Sequence, residues 1–462
     1  MVTTAEVVAG ERIAVVDPSY PRASRAWWSV AVLTALYSLS LLDRQIIALL
    51  VPQIRSDLGI TDFQIGLLQG IAFALFYVTF GLTFGWLVDR FSRRGMVFVG
   101  VSVWSLATMA CGLARNFLEL ATARFGVGAG EAALNPAAYS MLSDSFPPHR
   151  RALAISVFGT GANLGGAMSK VLGGFLIATL PVAGMTLPLL GHMETWRLVL
   201  LAAGAPGLLL ALLIWTMADP PRRERVQGQS SLRDTLAFAG RHWRFYGGHF
   251  LGFGLMAASA VGHQAWAPTF LIRHYGLGIS EIVTILTLTG LGAGVSGTLL
   301  AGYVADRLFA RGLKSAHLWC FIVGGVVQAI SLVAAYTADS LAGFIAFNVL
   351  FNLFSGFAGV APGSLQLVTP NNFRGQISSG YLFCFMLIGT GIGPTMVGLL
   401  TTYLFRDDAK VGLAVATNAM LMLPLSVLCL ASALGPMRRA VAEAAVWNNP
   451  AAPAPGPPLV KS

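Results

Sequence analysis

Twelve apolar runs, each long enough to cross a bilayer, leave this chain little choice of solvent. They fall near residues 27–53, 64–87, 96–114, 118–142, 152–179, 197–217, 246–272, 281–304, 317–338, 341–368, 376–404 and 412–435. A helix crossing the hydrocarbon core needs about 20 predominantly apolar residues. Only 11% of the 462 residues are charged, against about a quarter in soluble proteins, and the mean hydropathy is +0.70. Lipid must therefore cover most of the surface. The expected fold is an all-α polytopic membrane protein of twelve transmembrane helices. Its parts are a tail (1–26), a six-helix bundle (27–217), a polar linker (218–243), a second six-helix bundle (244–435) and a Pro/Ala-rich tail (436–462) read as disordered.

The charges that remain are unevenly placed. With the N-terminus in the cytoplasm, 21 of the 30 Lys and Arg residues fall in cytoplasmic segments, six fall outside and three lie within spans. This asymmetry puts both termini on the cytoplasmic side of the plasma (inner) membrane. It also accounts for the net charge of +10 without a nucleic-acid partner. The four cysteines all sit in apolar runs and read as small packing residues. No metal-ligand spacing, P-loop or nucleophile–base pair occurs, so the chain is expected to be neither an enzyme nor an ATP-driven pump. Gly126-x-Gly128-x-Gly130 lies inside an apolar helix rather than after a strand and is no dinucleotide loop. The first apolar run is too long for a signal-peptide core.

Five charges stay inside the spans: Asp43, Arg44, Arg124, Glu131 and Lys170. Each costs about 2.5–3.5 kcal/mol on insertion scales and is expected to face a polar cavity or another charge. Arg124 and Glu131 share a helix face about 10 Å apart, too far to pair directly. Asp43 and Arg44 are adjacent and point in different directions. Pairing must therefore cross helices, with Asp43 near Arg124 or Arg44 near Glu131. An acid that loses and regains an arginine neighbour changes its proton affinity, which is what proton coupling requires; a static ion pair is the plainer alternative. Lys170 has two readings, snorkelling to the outer surface or binding an anion.

One loop occurs twice. Gly85-Trp-Leu-Val-Asp89-Arg90-Phe-Ser-Arg93-Arg94 recurs 217 residues later as Gly302-Tyr-Val-Ala-Asp306-Arg307-Leu-Phe-Ala-Arg311. This repeated Gly-x-x-x-Asp-Arg-x-x-x-Arg loop resembles the cytoplasmic signature of the major facilitator superfamily, with Ser92 where many members have a second Gly. The resemblance covers roughly 27–435. It implies two pseudo-symmetric six-helix bundles, a substrate site at the midplane between them, and a cytoplasmic gate at Asp89, Arg90, Arg93, Asp306 and Arg307 that latches the outward-open state. Leu-Leu-Asp43-Arg44-Gln-Ile-Ile-Ala-Leu-Leu, Arg124-Phe-Gly-Val-Gly-Ala-Gly130-Glu131 and Asn135-Pro136-Ala-Ala-Tyr139-Ser-Met-Leu-Ser-Asp144 are similar to the Spinster branch. That likeness implies a proton-coupled carrier of lysophospholipid or sphingoid phosphate. Asp43, Arg44, Arg124 and Glu131 would then be coupling groups, and Asn135 and Tyr139 would lie in the substrate path.

In that family the second, fifth, eighth and eleventh helices form the seam between the halves. The pairs Gly66/Gly70, Gly81/Gly85, Gly161/Gly165, Gly290/Gly294 and Gly389/Gly393 are accordingly expected to pack there. The second bundle holds no charge of this kind. It offers His263, Gln264, Gln328, Asn348, Asn352, Gln366 and Tyr381 among Phe347, Phe351, Phe354, Phe357, Phe383 and Phe385. A charged half facing an aromatic, weakly polar half suits an amphipathic anion. Its head would meet Arg44, Arg124 or Lys170, and its body the aromatics with His263, Gln264, Asn352 and Tyr381. The expected function is proton-driven transport of such an anion by a monomer, with no cofactor beyond the proton gradient. The alternative is symport of a small organic acid, such as an aromatic carboxylate or sugar acid. A membrane sensor would tolerate loss of Asp43 and Glu131, and a lipid scramblase would work without a proton gradient.

Overall fold

A computed structural model describes residues 20–88, 90–188, 190–222, 231–355 and 361–447. They form twelve spans. The first bundle holds span 1 (Ala23–Leu58), span 2 (Asp62–Leu87), span 3 (Arg93–Leu113), span 4 (Phe117–Glu131 and Leu134–Ser145), span 5 (Pro148–Thr179) and span 6 (Thr195–Thr216). The second holds span 7 (Trp243–Tyr275), span 8 (Ile279–Ala310), span 9 (Ala316–Tyr336), span 10 (Leu341–Ser355 and Ala361–Val368), span 11 (Asn372–Phe405) and span 12 (Val411–Trp447). Eight are long and apolar enough to be recognised as spans on those grounds alone. The other four, spans 4, 5, 7 and 10, carry the charged, glycine-rich or broken stretches that build the interior.

Local chemistry sets the ends. Thr61 and Gln64 form a reciprocal capping box at the start of span 2. Ser92 Oγ accepts the Gly95 N–H and caps span 3, so the departure from glycine supplies a helix cap. Gly59 and Gly276 adopt left-handed φ of 63° and 64° and end spans 1 and 7. Span 4 breaks just after Glu131, and span 11 contains two π-helical stretches, Phe385–Ile392 and Leu400–Phe405, as occurs at functional sites. A small hairpin pairs Met185–Leu187 with Gly191–Met193 between spans 5 and 6.

The packing repeats with a shift of six. Span 5 lies on span 1 as span 11 lies on span 7; spans 3 and 6 pair as do spans 9 and 12; span 4 packs on spans 2 and 3 as span 10 packs on spans 8 and 9. Between the bundles, span 2 meets span 11 and span 5 meets span 8, a swap produced by a two-fold axis between halves.

Two sequence readings need correction. The linker is not merely polar: Ser231 and Asp234 cap a helix, Leu232–Arg241, that stacks Phe238 on Phe373 of span 11. The C-terminal tail does not begin at 436. Span 12 continues through Pro436 to Trp447, because Met437, Ala440 and Ala444 form a buried face and Glu443 meets His242 at 3.1 Å. The remainder of that tail, from 448, lies outside the described residues.

Candidate functional site

The two bundles touch on one face and stand apart on the other. We call the face bearing the linker and the end of span 12 the terminal face. On the opposite face, closure is built from backbone and charge. Phe63 N–H donates to Thr402 Oγ1 (2.9 Å), and Thr395 Oγ1 donates to Gly66 O (3.0 Å). A Cβ on Gly66 would sit 2.6 Å from Pro394 O, so only glycine permits spans 2 and 11 to approach this closely. Outside this seam, fully buried Asp62 is gripped by Arg273 at 2.7 Å and by Arg55 at 3.2 Å, and Arg55 also reaches Asp408 at 2.8 Å. These four residues come from both bundles.

Toward the terminal face the spans separate. Gly81, Gly85, Gly290 and Gly294 have no atom near where a Cβ would be. Gly161 and Gly165 press on span 1, and Gly389 and Gly393 on span 7. Of the pairs expected in the seam, only Gly66/Gly70 packs across it. The rest tighten single bundles or face the opening, because the halves are splayed here.

The opening leads to a cavity of ≈ 640 Å³ at mid-depth, with Arg44, Gln45 and Lys170 on one wall and His263, Gln264, Asn348 and Asn352 on the other. Arg44 Nη2 pairs with Glu131 Oε2 at 2.6 Å. The guanidinium also lies over Phe73 (4.3 Å) and Tyr77 (5.2 Å), and Asn135 Nδ2 donates to Tyr77 Oη at 2.9 Å. Spans 1, 2 and 4 thus hold one charged pair from three sides. Behind it, Asp43 and Arg124 are both buried. Arg124 reaches the Leu68 carbonyl at 3.4 Å, and neither Asp43 oxygen has a hydrogen-bond partner among the described residues. The cross-helix pairing expected from sequence is present for Arg44 and Glu131, whereas Asp43 and Arg124 form no direct bond.

The remaining candidates divide. Lys170 lines the cavity and donates to Gly166 O at 3.1 Å. His263 Nδ1 meets Tyr336 Oη at 2.8 Å. Asn352 donates to Asn348 O, and Asn348 to Thr289 Oγ1, each at 2.8 Å. Tyr139 is exposed toward the terminal face, edge-on to Phe158 at 5.5 Å. Tyr381 does not line the cavity: it is 3% exposed within an aromatic cluster including His249 and Phe385. Of the expected aromatic wall, only Phe385 lines the cavity among the described residues. Phe351 is buried against His263, and Phe357 lies outside the described residues. Leu291, Val295 and Leu299 of span 8 supply the apolar wall.

At the terminal face, Asp89 lies outside the described residues. Arg90 stacks on Trp86 at 3.6 Å. Arg93 is buried, pairing with Asp144 at 2.5 Å and Asp219 at 3.2 Å; it ties the first bundle to the start of the linker rather than bridging the halves. Arg307 donates to Tyr303 Oη, and Asp306 is 84% exposed, 3.8 Å from His317. None of the polar contacts of the described gate residues joins one bundle to the other.

The sequence reading missed the closure network. A signal existed: Arg55 and Arg273 lie 218 residues apart, almost the spacing of the repeated loops, so they end symmetry-related spans.

Comparison with known proteins agrees with this architecture. The family model described as Major Facilitator Superfamily matches residues 33–394. An MFS-type efflux pump of Mycolicibacterium smegmatis is 26% identical over 389 residues, covering 83% of this chain and 86% of that protein. Protein spinster homolog 3 of Danio rerio is 27% identical, covering 84% of this chain and 80% of that protein. Among solved structures, a bacterial homolog to the human lysosomal transporter Spinster, inward-facing and unoccupied, matches with TM-score 0.74 and 24% identity over 91% of this chain and 98% of that one. With its fold, repeated loop and family match in agreement, the chain belongs to the Major Facilitator Superfamily and is a membrane transporter, not an enzyme.

Proposed function

We propose that this protein is a proton-coupled carrier of an amphipathic organic anion of the lysophospholipid or sphingoid-phosphate type, working by alternating access with its terminal face in the cytoplasm. The observation that carries the reading is the Arg44–Glu131 pair at 2.6 Å, beside buried Asp43 and Arg124, at the wall of a cavity open to one face. Protonation of Glu131 would release Arg44 from its carboxylate partner. The freed guanidinium would then attract an anion entering the cavity, so proton and anion binding favour each other. The apolar side of span 8 and the polar groups of spans 7 and 10 suit a ligand with a polar head and an apolar body.

A small organic anion is the second reading. The amides of Gln264, Asn348 and Asn352 favour it, as does similarity to a probable L-galactonate transporter of Escherichia coli (28% identical, 79% of this chain) and a hexuronate transporter of Bacillus subtilis (25%, 78%). A proteoliposome screen of lysolipids against sugar acids and aromatic carboxylates, with an imposed pH gradient, separates them. Uptake of an anion that neither responds to the gradient nor carries protons would sink the coupling.

A further inference from the structure

Two cations line the cavity, and they are not equivalent. Arg44 has Glu131. Lys170 has only a carbonyl one turn back in its own helix, and among the described residues it forms no ion pair. Three other cavity-lining groups have no hydrogen-bond partner among the described residues. Gln69 Nε2, on a buried side chain of span 2, is unpaired, as is Thr287 Oγ1 of span 8. The Gln264 carboxamide of span 7 is exposed to the cavity. His263, Asn348 and Asn352, by contrast, are engaged with Tyr336, Thr289 and one another. Four groups able to donate a hydrogen bond, on Lys170, Gln69, Gln264 and Thr287, thus belong to residues lining one cavity, and two of them, Gln69 Nε2 and Thr287 Oγ1, are buried without a partner among the described residues, which is costly in an apolar interior.

We infer that Lys170 is the anion dock of this carrier: a singly charged oxyanion sits on its ammonium, with Gln69 from the first bundle and Gln264 and Thr287 from the second donating around it. The oxyanion is a carboxylate or a phosphodiester. The intramembrane charges support one negative charge. While Glu131 is still ionised, Asp43 and Glu131 set against Arg44, Arg124 and Lys170 leave one positive charge over, and a monoanion docked at this stage, before Arg44 is released, cancels it. Because the donors come from both bundles, the bound anion draws the halves together from the open side. The dock rests on the anion-carrier reading above but not on its proton coupling, since Lys170 is separate from the Arg44–Glu131 pair.

The test starts from a variant with Cys111, Cys320, Cys384 and Cys429 replaced by alanine and carrying Gln264→Cys. Its labelling rates are compared for anionic sulfonatoethyl and cationic trimethylammonioethyl methanethiosulfonate. Lys170→Gln should lower the anionic-to-cationic rate ratio about tenfold, and Lys170→Arg should keep it, because one nearby charge dominates a weakly screened site. An unchanged ratio in both Lys170→Gln and Lys170→Met would overturn the dock. In parallel, proteoliposomes holding the full chain are assayed for proton-linked uptake of decanoate and of lysophosphatidylglycerol. Lys170→Gln should raise the half-saturation of the carried anion about tenfold; which anion is carried identifies the oxyanion. A fallen labelling ratio with no proton uptake on either anion keeps the dock and removes the coupling. An unchanged ratio with intact coupled uptake does the reverse.

Discussion

Arg273 places both Nη atoms on the Asp62 carboxylate, at 2.7 and 2.9 Å, across the boundary between the two bundles. Asp62 is fully buried and also receives Arg55, so one carboxylate holds two guanidiniums from opposite halves. Removing its charge leaves those guanidiniums facing each other. Breaking a buried pair costs about 3–5 kcal/mol, and Asp62→Asn, which keeps an acceptor, should cost closed packing on this face about half of that. Spin labels at 56 and 280 should then report a longer distance component, absent in the unsubstituted protein, by double electron–electron resonance. An unchanged distribution would mean that the Gly66–Pro394 seam alone closes this face.

Asp306 sits at the other extreme. Its carboxylate is 84% exposed and only 3.8 Å from His317, so this conformation owes it little. Asp306→Asn should alter thermal stability in detergent by no more than about 0.5 kcal/mol. Transport should nevertheless slow several-fold, because a cytoplasmic gate would engage the carboxylate only when the terminal face closes. Stability and transport falling together would assign Asp306 a packing role instead.

Legibility in the sequence followed the cost of each feature. Lipid forces long apolar runs, so twelve spans could be counted without structure. A charge inside a span must find a partner, so Arg44 and Glu131 could be matched across helices. Asp62 and Arg273 lie at span ends, where a charge is inexpensive and demands no explanation; nothing flagged them except the spacing of Arg55 and Arg273. That Tyr381 and the described phenylalanines other than Phe385 lie off the cavity was hidden for another reason. In a span that is apolar all round, no periodicity distinguishes the side facing lipid, core or cavity. On span 8 the cavity wall is instead aliphatic, from Leu291, Val295 and Leu299.

Orientation is testable apart from chemistry. The concentration of Lys and Arg on the terminal face predicts that this face is cytoplasmic. Cysteines introduced at 229 and at 450 should react with a membrane-impermeant maleimide in inverted vesicles and not in intact cells. Labelling of either from outside would reverse the topology.

Coupling is the sharpest prediction. Glu131 is bound to Arg44, whereas Asp43 has no direct partner among the described residues, so the two carboxylates should fail differently when neutralised. Glu131→Gln keeps size and removes the charge that restrains Arg44. The guanidinium is then permanently free for an anion, so substrate should bind at least as tightly while uphill transport on a pH gradient is lost. Exchange of internal for external substrate needs no net proton movement and should persist. Asp43→Asn should also abolish gradient-driven uptake but leave the Arg44 pair, and so substrate affinity, near its original value. Arg44→Lys separates charge from geometry: a point charge cannot reproduce the stack on Phe73 together with the carboxylate contact, so affinity and coupling should both fall, by about tenfold or more in rate. The measurement is proton uptake recorded alongside substrate flux in the same liposomes. Coupled uptake at the original ratio in both Asp43→Asn and Glu131→Gln would leave the four charges as a structural clamp between spans 1 and 4 and remove them from the transport cycle.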